Sequence, residues 1–497
     1  MEKSMEIKVL NAQLKEQACD VLVVGLWEKT ETPSGVTASV DEALGELITK
    51  FIIKKDGFKA KFKETYILQT YDKIPANKVL VVGLGEKDKL TANKLRELSA
   101  KIVQKVSSIK AKKVCIDLGK LEFDAAKSGQ VVAEGALIGN YSFDKYKSKK
   151  DEAEIKLEEF ILVEEDAKKA EKLTKGVEKG AKIAEAMTFA RNLANEPAQY
   201  ATPMKLAETA KKIEGIKTKI YEKDEIEKME MGAFLAVGKG SCEHPKFIHM
   251  KYTPANPKKK IALIGKGITF DSGGLDIKPP SSMLTMKDDM AGAACVLGIM
   301  NALKFFNPQV EVHGIIAACE NMPGCAAYKP GDVLTAKNKK TIEVDNTDAE
   351  GRLTLADALC FACEQGVDEI IDIATLTGAC MVALGSQAAG IMGNNQELID
   401  KLIKTGDENG ERLWQLPMFE EYKESLKSDV ADMRNTGARG GGASTAGIFL
   451  KEFVKDELPW AHLDIAGVAF LEKPQKELCK GASGAGVRTL LNYILSI

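Results

Sequence analysis

Carboxylates and lysines are concentrated in glycine-rich segments between residues 266 and 352, a combination that can bind divalent cations. The densest segment is NTDAEGRL at residues 346–353, where Asp348 and Glu350 stand two residues apart. In an extended segment both side chains project from one face, and Gly351 then lets the chain turn away. This spacing predicts that a strand end places both carboxylates on one cation.

Two upstream segments add carboxylates to this set. The turn predicted at residues 265–274, GKGITFDSGG, contains Asp271, and residues 286–292, MKDDMAG, contain Asp289. Four carboxylates can hold two divalent cations when some of them bridge, and two such ions can activate one water molecule and polarise a carbonyl. Without cations, clustered acids would raise one another's pKa values. The pattern is typical of a metal-dependent hydrolase.

Lys266 and Lys278 lie in the same region, and their residue type admits two interpretations. A lysine in a turn is often only a solvated charge. Near two cations, however, a lysine can lose its proton and bind a metal, or stay charged and stabilise a developing oxyanion. From the residues alone, both interpretations stay open.

Histidine, a common zinc ligand, contributes little to this pattern. A metal site formed by the clustered carboxylates would accept zinc, manganese, cobalt or magnesium to differing degrees. We expect each histidine to be a packing or surface residue, and the one at 313, within an apolar strand pattern, to be buried and hydrogen-bonded. The four histidines, none at a paired spacing such as HExxH, are His244, His249, His313 and His462.

Other motifs give weaker signals. The serine at position 272 precedes its glycines, so the GxSxG pattern of serine nucleophiles is missing, and no GxxxxGK[ST] phosphate loop is present. Gly83 and Gly85 follow a predicted strand without a third glycine, which favours a tight turn over dinucleotide binding. Cys360 and Cys363 lie three apart in a helical pattern, which favours core packing over a redox or zinc site.

Composition limits the class of protein. The 497 residues, 44% of them hydrophobic, suggest two or three domains, and Lys+Arg 70 against Asp+Glu 72 argues against phosphate-driven nucleic-acid binding. Ten cysteines over this length are not a secreted disulfide framework. The charged N-terminus lacks a signal peptide, and no apolar run approaches the roughly 18 residues of a membrane span. We therefore expect a cytoplasmic protein with no membrane partner.

Strand and helix patterns alternate in the first 165 residues, which predicts an α/β domain. The composition then shifts to Lys, Glu and Ala, and a charged helix is predicted to bridge two domains and to end before Pro197. Predicted strands in this part are 21–25, 78–83, 112–117 and 159–163, and predicted helices include 92–107 and 125–137.

The remainder also alternates, and its long helical crossovers between apolar strands predict a largely parallel sheet covered on both faces. Active sites in such sheets gather beyond the carboxyl ends of the strands, where the charged segments fall. Predicted strands are 260–265, 310–317, 369–375 and 461–465, and predicted helices are 291–303, 352–365 and 445–454, preceded by a short mobile loop at 439–442.

At these residues the chain resembles the leucyl aminopeptidase family of dinuclear zinc exopeptidases, also called cytosol aminopeptidases. Residues 346–353 match its signature octapeptide, and three further segments, 266–274, 289–294 and 375–379, agree in order and separation. The resemblance implies a smaller N-terminal α/β, macro-like, non-catalytic domain (1–165), a linker helix (166–189) and a larger C-terminal catalytic α/β/α domain with a mostly parallel sheet (190–497).

The resemblance also implies a role for each of the charged residues in a dinuclear site. Asp271 and Glu350 would bridge two metal ions, Asp348 would complete one site, and Lys266 with Asp289 the other. The ions would be Zn²⁺, with Mn²⁺ or Co²⁺ as alternatives. A hydroxide bridging the metals would attack the peptide carbonyl, and the free α-amine of the substrate would bind a metal, so that only N-terminal residues are released.

Further roles follow from the same resemblance. Lys278 would polarise the carbonyl and stabilise the intermediate, while Arg352 would hold a bicarbonate ion that acts as general base; its predicted position at a helix start independently suits anion binding. The assembly would be a homohexamer of two stacked trimers. An apolar pocket favouring leucine-like residues would be lined by Met286, Thr375, Leu376, Gly378 and Ala466.

A DNA-binding architectural or regulatory role is the alternative from another class. The lysine clusters at 54–55, 147–150 and 258–260 permit it, although ordinary solvated lysines explain them better, so nucleic acid is not the expected partner. The hypothesis that the N-terminal domain binds a nucleotide-like ligand is supported only by the turn at Gly83 and Gly85. Peptides are the expected substrates.

Overall fold

Each of the two predicted regions forms its own sheet in the computed structural model, which describes residues 5–119, 121, 123–148 and 157–497. The chain divides into one unit that runs to Ala184 and includes Pro474–Cys479, and a second that comprises Glu185–Lys473 and Lys480–Ile497. The division falls inside one long helix. Residues 149 and 150 of the second lysine cluster (147–150) lie outside the described residues.

The first unit contains a six-stranded sheet in the order β1-β6-β5-β2-β4-β3, parallel except for β3. Its strands are β1 (Glu6–Asn11), β2 (Val21–Trp27), β3 (Thr65–Gln69), β4 (Lys78–Gly85), β5 (Lys113–Asp117) and β6 (Glu159–Glu164). Its helices are α1 (Gly35–Ala43), a π-helix (Ile48–Lys55), α2 (Ala92–Ser108), α3 (Ala125–Gly139) and the part of α4 (Ala167–Asn195) up to Ala184, with 3-10 turns at Leu14–Glu16 and Lys87–Lys89.

Both faces of this sheet are buried because alternate residues of each strand enter different cores. Val21 and Val23 pack into one apolar cluster, whereas Leu22 and Val24 pack into the other. The four predicted strands and both helices are confirmed with small shifts of their ends. The sequence analysis missed β1 and β3, whose residues are only half-buried or exposed and therefore lack a continuous apolar run.

The second unit contains an eight-stranded mixed sheet in the order β15-β14-β17-β13-β9-β10-β8-β7. Its four central strands, β17, β13, β9 and β10, run parallel. The sheet comprises β7 (Lys217–Tyr221), β8 (Lys246–Tyr252), β9 (Lys259–Asp271), β10 (Val310–Asn321), β13 (Glu369–Ala374), β14 (Ala389–Gly393), β15 (Leu413–Gln415) and β17 (Trp460–Asp464). Smaller pairings involve β11 (Val333–Thr335), β12 (Thr341–Glu343), β16 (Met433–Arg434), β18 (Phe470–Leu471) and β19 (Gly481–Ala482).

Helices cover this sheet and connect its parallel strands. They are α5 (Pro203–Lys211), α6 (Lys223–Lys228), α7 (Gly232–Gly238), α8 (Pro280–Met283), α9 (Ala291–Phe306), α10 (Gly351–Cys363), α11 (Gly378–Leu384), α12 (Gln396–Asn409), α13 (Gly442–Lys451) and α14 (Val487–Leu495), with 3-10 helices at Met286–Asp288 and Glu420–Leu426. Helix α13 begins at Gly442, so part of the predicted mobile loop is helical. Among the described residues, no helix is both long and apolar enough to cross a membrane.

Strand β9 differs from the prediction in a way that matters for the site. A turn was expected directly after Gly265, but the strand continues to Asp271, because β10 pairs with it along this stretch. Lys266 and Asp271 are therefore strand residues. Gly265 lets α9 approach closely, since a Cβ atom there would lie 2.6 Å from the Cα of Ala293.

Candidate metal centre and substrate pocket

The predicted metal-binding carboxylates meet beyond the carboxyl ends of the central strands. Asp271 ends β9, while Asp348 and Glu350 lie just before α10. One oxygen from each of these three side chains lies within 4.8 Å of the others. Asp289 precedes α9 and joins the group through Lys266, whose Nζ lies 2.7 Å from Asp289 and 2.8 Å from Glu350.

The expected extended geometry of residues 348–350 is wrong. The Asn346 side chain accepts a hydrogen bond from the Asp348 amide at 2.7 Å, which forms a tight turn, and Glu350 already has helical backbone angles, φ −77° and ψ −36°. Asn and Asp residues stabilise such turns by bonding to the backbone two residues on. The two carboxylates converge because of this turn rather than because they share a strand face.

Each of the two lysines connects a pair of carboxylates. Lys278 Nζ lies 2.8 Å from Asp271 and 2.5 Å from Asp348. Lys266 connects Asp289 and Glu350 in the same way. Burial alone would lower the pKa of each ammonium, but the surrounding carboxylates outweigh it and raise the pKa of both lysines. Metal ligation requires a neutral amine, so a cation at Lys266 would have to displace a proton.

The donor set fits divalent cations. Burial raises the pKa values of Asp289, Asp348 and Glu350, as expected for acids that gather without enough positive charge. Asp289 Oδ2 and Glu350 Oε2 are buried and have no hydrogen-bond partner among the described residues. Buried polar atoms nearly always have a hydrogen-bond partner. Two buried carboxylate oxygens without one, where several acids converge, therefore indicate a ligand-binding site.

A hydrogen-bond network missed by the sequence analysis holds the two ligand-bearing segments together. Asn321 Nδ2 donates to Asp271 Oδ1 at 2.8 Å and to the carbonyl of Thr347 at 2.9 Å. The Tyr328 hydroxyl donates to the same carbonyl at 2.7 Å, and the Thr347 hydroxyl donates to the carbonyl of Gly273 at 2.6 Å. No local motif could have identified Asn321, because its partners are distant in sequence.

Arg352 lies in the first turn of α10, next to this centre, as the sequence predicted. Its Nη1 donates to the carbonyl of Asn435 at 2.8 Å, while its buried Nε has no hydrogen-bond partner among the described residues. Burial lowers the pKa of the guanidinium to about 10, against the opposing charges of Glu350 and Asp464. A charged donor with an unused N–H at a helix start suits an anion.

Three of the five predicted pocket residues, Thr375, Leu376 and Ala466, occupy turns that follow β13 and β17. Thr375 donates its hydroxyl to Asp289 Oδ1 at 2.7 Å, which connects this turn to the metal centre. The amides of Leu376 and Ala466 lie 3.2 Å from one carboxylate oxygen of Asp464. Met286 is half-buried in the 3-10 helix before residue 289, and Gly378 opens α11 beside empty space, with nothing within 4 Å of a Cβ position.

His313 and the two cysteines at motif spacing have the packing roles that the sequence predicted. His313 is buried and hydrogen-bonded, as predicted: its Nε2 lies 3.0 Å from Glu311, and its Nδ1 lies 3.0 Å from His249 Nε2. The thiols of Cys360 and Cys363 both point to the carbonyl of Phe453, at 3.7 and 3.9 Å, which places them on one helix face in the core.

Comparisons with known proteins cover almost the whole chain. The model of the cytosol aminopeptidase family, catalytic domain, matches residues 188–491, and the model of that family's N-terminal domain matches residues 4–150. A probable cytosol aminopeptidase of Alkaliphilus oremlandii is 43% identical over 499 residues, covering 99% of this chain and 100% of the relative. A probable cytosol aminopeptidase of Aquifex aeolicus is 43% identical, with coverage of 100% and 99%.

Solved structures agree with these matches. A tomato leucine aminopeptidase mutant has a TM-score of 0.88 at 35% identity, covering 99% of this chain and 97% of its own. The bottromycin maturation enzyme BotP in complex with Mn has a TM-score of 0.85 at 32% identity, covering 96% and 99%. The predicted two-domain α/β architecture is thereby confirmed, whereas the DNA-binding alternative receives no support.

Proposed function

Because the chain belongs to the cytosol aminopeptidase family and is a metal-dependent aminopeptidase, we propose that it releases N-terminal residues, preferentially leucine-like, from peptides. The observation that carries this proposal is the convergence of Asp271, Asp348 and Glu350 beside the turn at Thr375. We further propose that catalysis belongs to the predicted domain of residues 190–497.

The residues that would hold two cations are the five predicted from the resemblance. Asp271 and Glu350 would bridge, Asp348 would complete one site, and Lys266 with Asp289 would complete the other. When bound, the ions supply Lewis-acid chemistry: they activate a water molecule and polarise the scissile carbonyl. The donor set suits Zn²⁺, Mn²⁺ or Co²⁺, and a bound metal is named for the similar BotP structure.

Two cationic side chains would assist the reaction. Neighbouring carboxylates raise the pKa of Lys278, and as an ammonium it would stabilise negative charge that develops on the carbonyl oxygen. Arg352 would hold bicarbonate through its unused Nε and the free amides at the start of α10, and this anion is suited to general-base chemistry.

Specificity would come from the amine end and the side chain of the substrate. A free α-amine would bind at the metal centre, which restricts cleavage to N-termini. The apolar pocket would favour leucine-like residues, although one methylene is worth only about 1 to 3 kcal/mol of discrimination. The proposed lining residues are Met286, Thr375, Leu376, Gly378 and Ala466.

The test is hydrolysis of leucyl-p-nitroanilide by metal-stripped protein, titrated with zinc, manganese or cobalt, with and without bicarbonate. We expect activity to return as two metals bind per chain and to rise with bicarbonate. N-acetyl-leucyl-p-nitroanilide serves as the matched control, and it should not be cleaved. Full activity of the stripped protein, or no activity with any metal, would overturn the proposal.

We also propose a homohexamer located in the cytoplasm. The assembly follows from the family resemblance rather than from composition. Light scattering at micromolar concentration measures it directly, and a fully active monomer would refute it.

A further inference from the structure

Asp464 is a buried carboxylate that the metal centre does not use. It ends β17, is 0% exposed, and pairs in register with Ala374 at the end of β13. Both strands therefore finish side by side, and each continues into one of the turns proposed to line the substrate pocket. A buried charge is costly unless several hydrogen bonds satisfy it, so the groups around Asp464 indicate its task.

Those groups belong to the two pocket turns. Asp464 Oδ1 accepts from the amides of Leu376 and Ala466, both at 3.2 Å, and from the amide of Thr377 at 3.5 Å. Oδ2 accepts from the Thr377 hydroxyl at 2.7 Å. The same hydroxyl accepts from the Cys380 amide at 3.0 Å and caps α11. One carboxylate thus fixes both turns and the start of the helix that follows.

The turn after β13 is held at its other end by the metal centre. Thr375 donates its hydroxyl to Asp289 at 2.7 Å, and its carbonyl accepts from Lys266 Nζ at 3.0 Å. Two anchors, Asp289 and Asp464, therefore determine where this turn stands relative to the proposed metal ligands and to the second pocket turn at Ala466. Small shifts of such a wall alter catalysis strongly because reacting groups must be placed within a fraction of an ångström.

We propose that Asp464 is a positioning residue that sets the separation of the two pocket walls and thereby the preference for the substrate side chain. This inference rests on the proposed function, because it assumes that the two turns line the pocket. The experiment compares leucyl- and alanyl-p-nitroanilide, with kcat and KM determined separately for each. Bound metal per chain is measured by elemental analysis.

Replacing Asp464 by alanine should free both turns. We expect Asp464→Ala to lower kcat/KM for the leucyl substrate by about 100-fold, because it removes every hydrogen bond that the carboxylate accepts from the two turns. The leucyl-to-alanyl preference should shrink to within about 3-fold, while two metals stay bound. The near-isosteric Asp464→Asn keeps the Oδ1 acceptor, so it should lose activity by about 10-fold and retain most of the preference.

Three further variants keep the test decisive if the alanine variant does not fold. Thr377→Val removes the hydroxyl that donates to Oδ2 and should weaken the preference, whereas Thr377→Ser should restore it. Asp372→Asn is the matched control: Asp372 is equally buried on β13 but accepts from Trp460 and His462 instead of from the pocket turns. It should lower thermal stability and leave the preference within about 2-fold of wild type.

The outcomes separate this inference from the proposed function. A wild-type enzyme that cleaves leucyl-p-nitroanilide, with Asp464 and Thr377 variants of unchanged preference, would overturn the inference alone. The same would follow if Asp372→Asn changed the preference as much as Asp464→Ala. A metal-loaded wild type that cleaves neither substrate would overturn the proposed function, and with it the inference.

Discussion

Two buried glutamates, one in each unit, differ in how completely the fold satisfies them. In the first unit, Glu134 accepts from Arg96 Nε at 2.7 Å with one oxygen and from Gln130 Nε2 at 2.7 Å with the other. In the second unit, Glu350 Oε1 lies 2.8 Å from Lys266 Nζ, whereas its buried Oε2 has no hydrogen-bond partner among the described residues. The two glutamates are thus equally buried, but their carboxylates differ in how many oxygens have a hydrogen-bond partner.

This difference separates structural charge from functional charge. A buried carboxylate whose oxygens are both used by its own unit stabilises that unit's packing, and removing it leaves its cationic partner uncompensated. A carboxylate with a spare oxygen, gathered with Asp271 and Asp348, can accept a further ligand, such as the cation proposed for this site. Burial by itself would not have distinguished Glu134 from Glu350.

The largest expected effect is at the unsatisfied glutamate. Glu350→Gln removes one negative charge and a proposed bridging ligand, so leucyl-p-nitroanilide hydrolysis should fall at least about 1,000-fold, on the scale of losing a charged catalytic group. Metal affinity, measured by equilibrium dialysis, should fall as well. The free energy of unfolding of the metal-free protein should be unchanged or higher, because the substitution removes one of the carboxylates that repel one another in this cluster.

Glu134→Gln is the matched control and should behave in the opposite way. The substitution removes the charge of Glu134 that faces buried Arg96 and should lower the free energy of unfolding by about 3 kcal/mol. The kcat/KM value and the metal content of the folded enzyme should stay at wild-type levels. Comparable loss of activity in both variants would remove the distinction between structural and functional burial.

A smaller effect is expected at Asn321, which supports a proposed ligand without being one. Asn321→Ala removes the hydrogen bonds to Asp271 and to the Thr347 carbonyl, so metal affinity should fall about 10- to 100-fold, the usual cost of losing such a support. Tyr328→Phe removes one bond to the same carbonyl and should cost less. Equal metal affinity in wild type and Asn321→Ala, measured by competition with a chelator, would contradict this role.

The supporting residues also mark the limit of what the sequence could predict. The central strands were predictable because they are continuous apolar runs, and Asp271, Asp348 and Glu350 stand in recognisable charged segments. Asn321 and Asp464 are single polar residues that end apolar strands, and no local pattern marks them. Their partners lie 50 and 88 residues away in sequence, so only the pairing of strands reveals them.

The smallest effect is expected at the pair of half-buried His249 and buried His313, whose ring nitrogens lie 3.0 Å apart. Burial, reinforced by the charge of His313, lowers the pKa of His249 to about 4, from an unfolded value near 6.5. The unfolded chain therefore binds more protons between these values, and the histidine's contribution to stability is complete above about pH 6.5 and is lost as the pH falls toward 4. When the pH is lowered from 7 to 5, the free energy of unfolding measured in urea should fall by about 1 to 2 kcal/mol more in wild type than in His249→Gln. His244→Gln, at an exposed position, is the control and should follow wild type. Parallel pH dependence in His249→Gln and wild type would show that this pair carries no proton-linked stability.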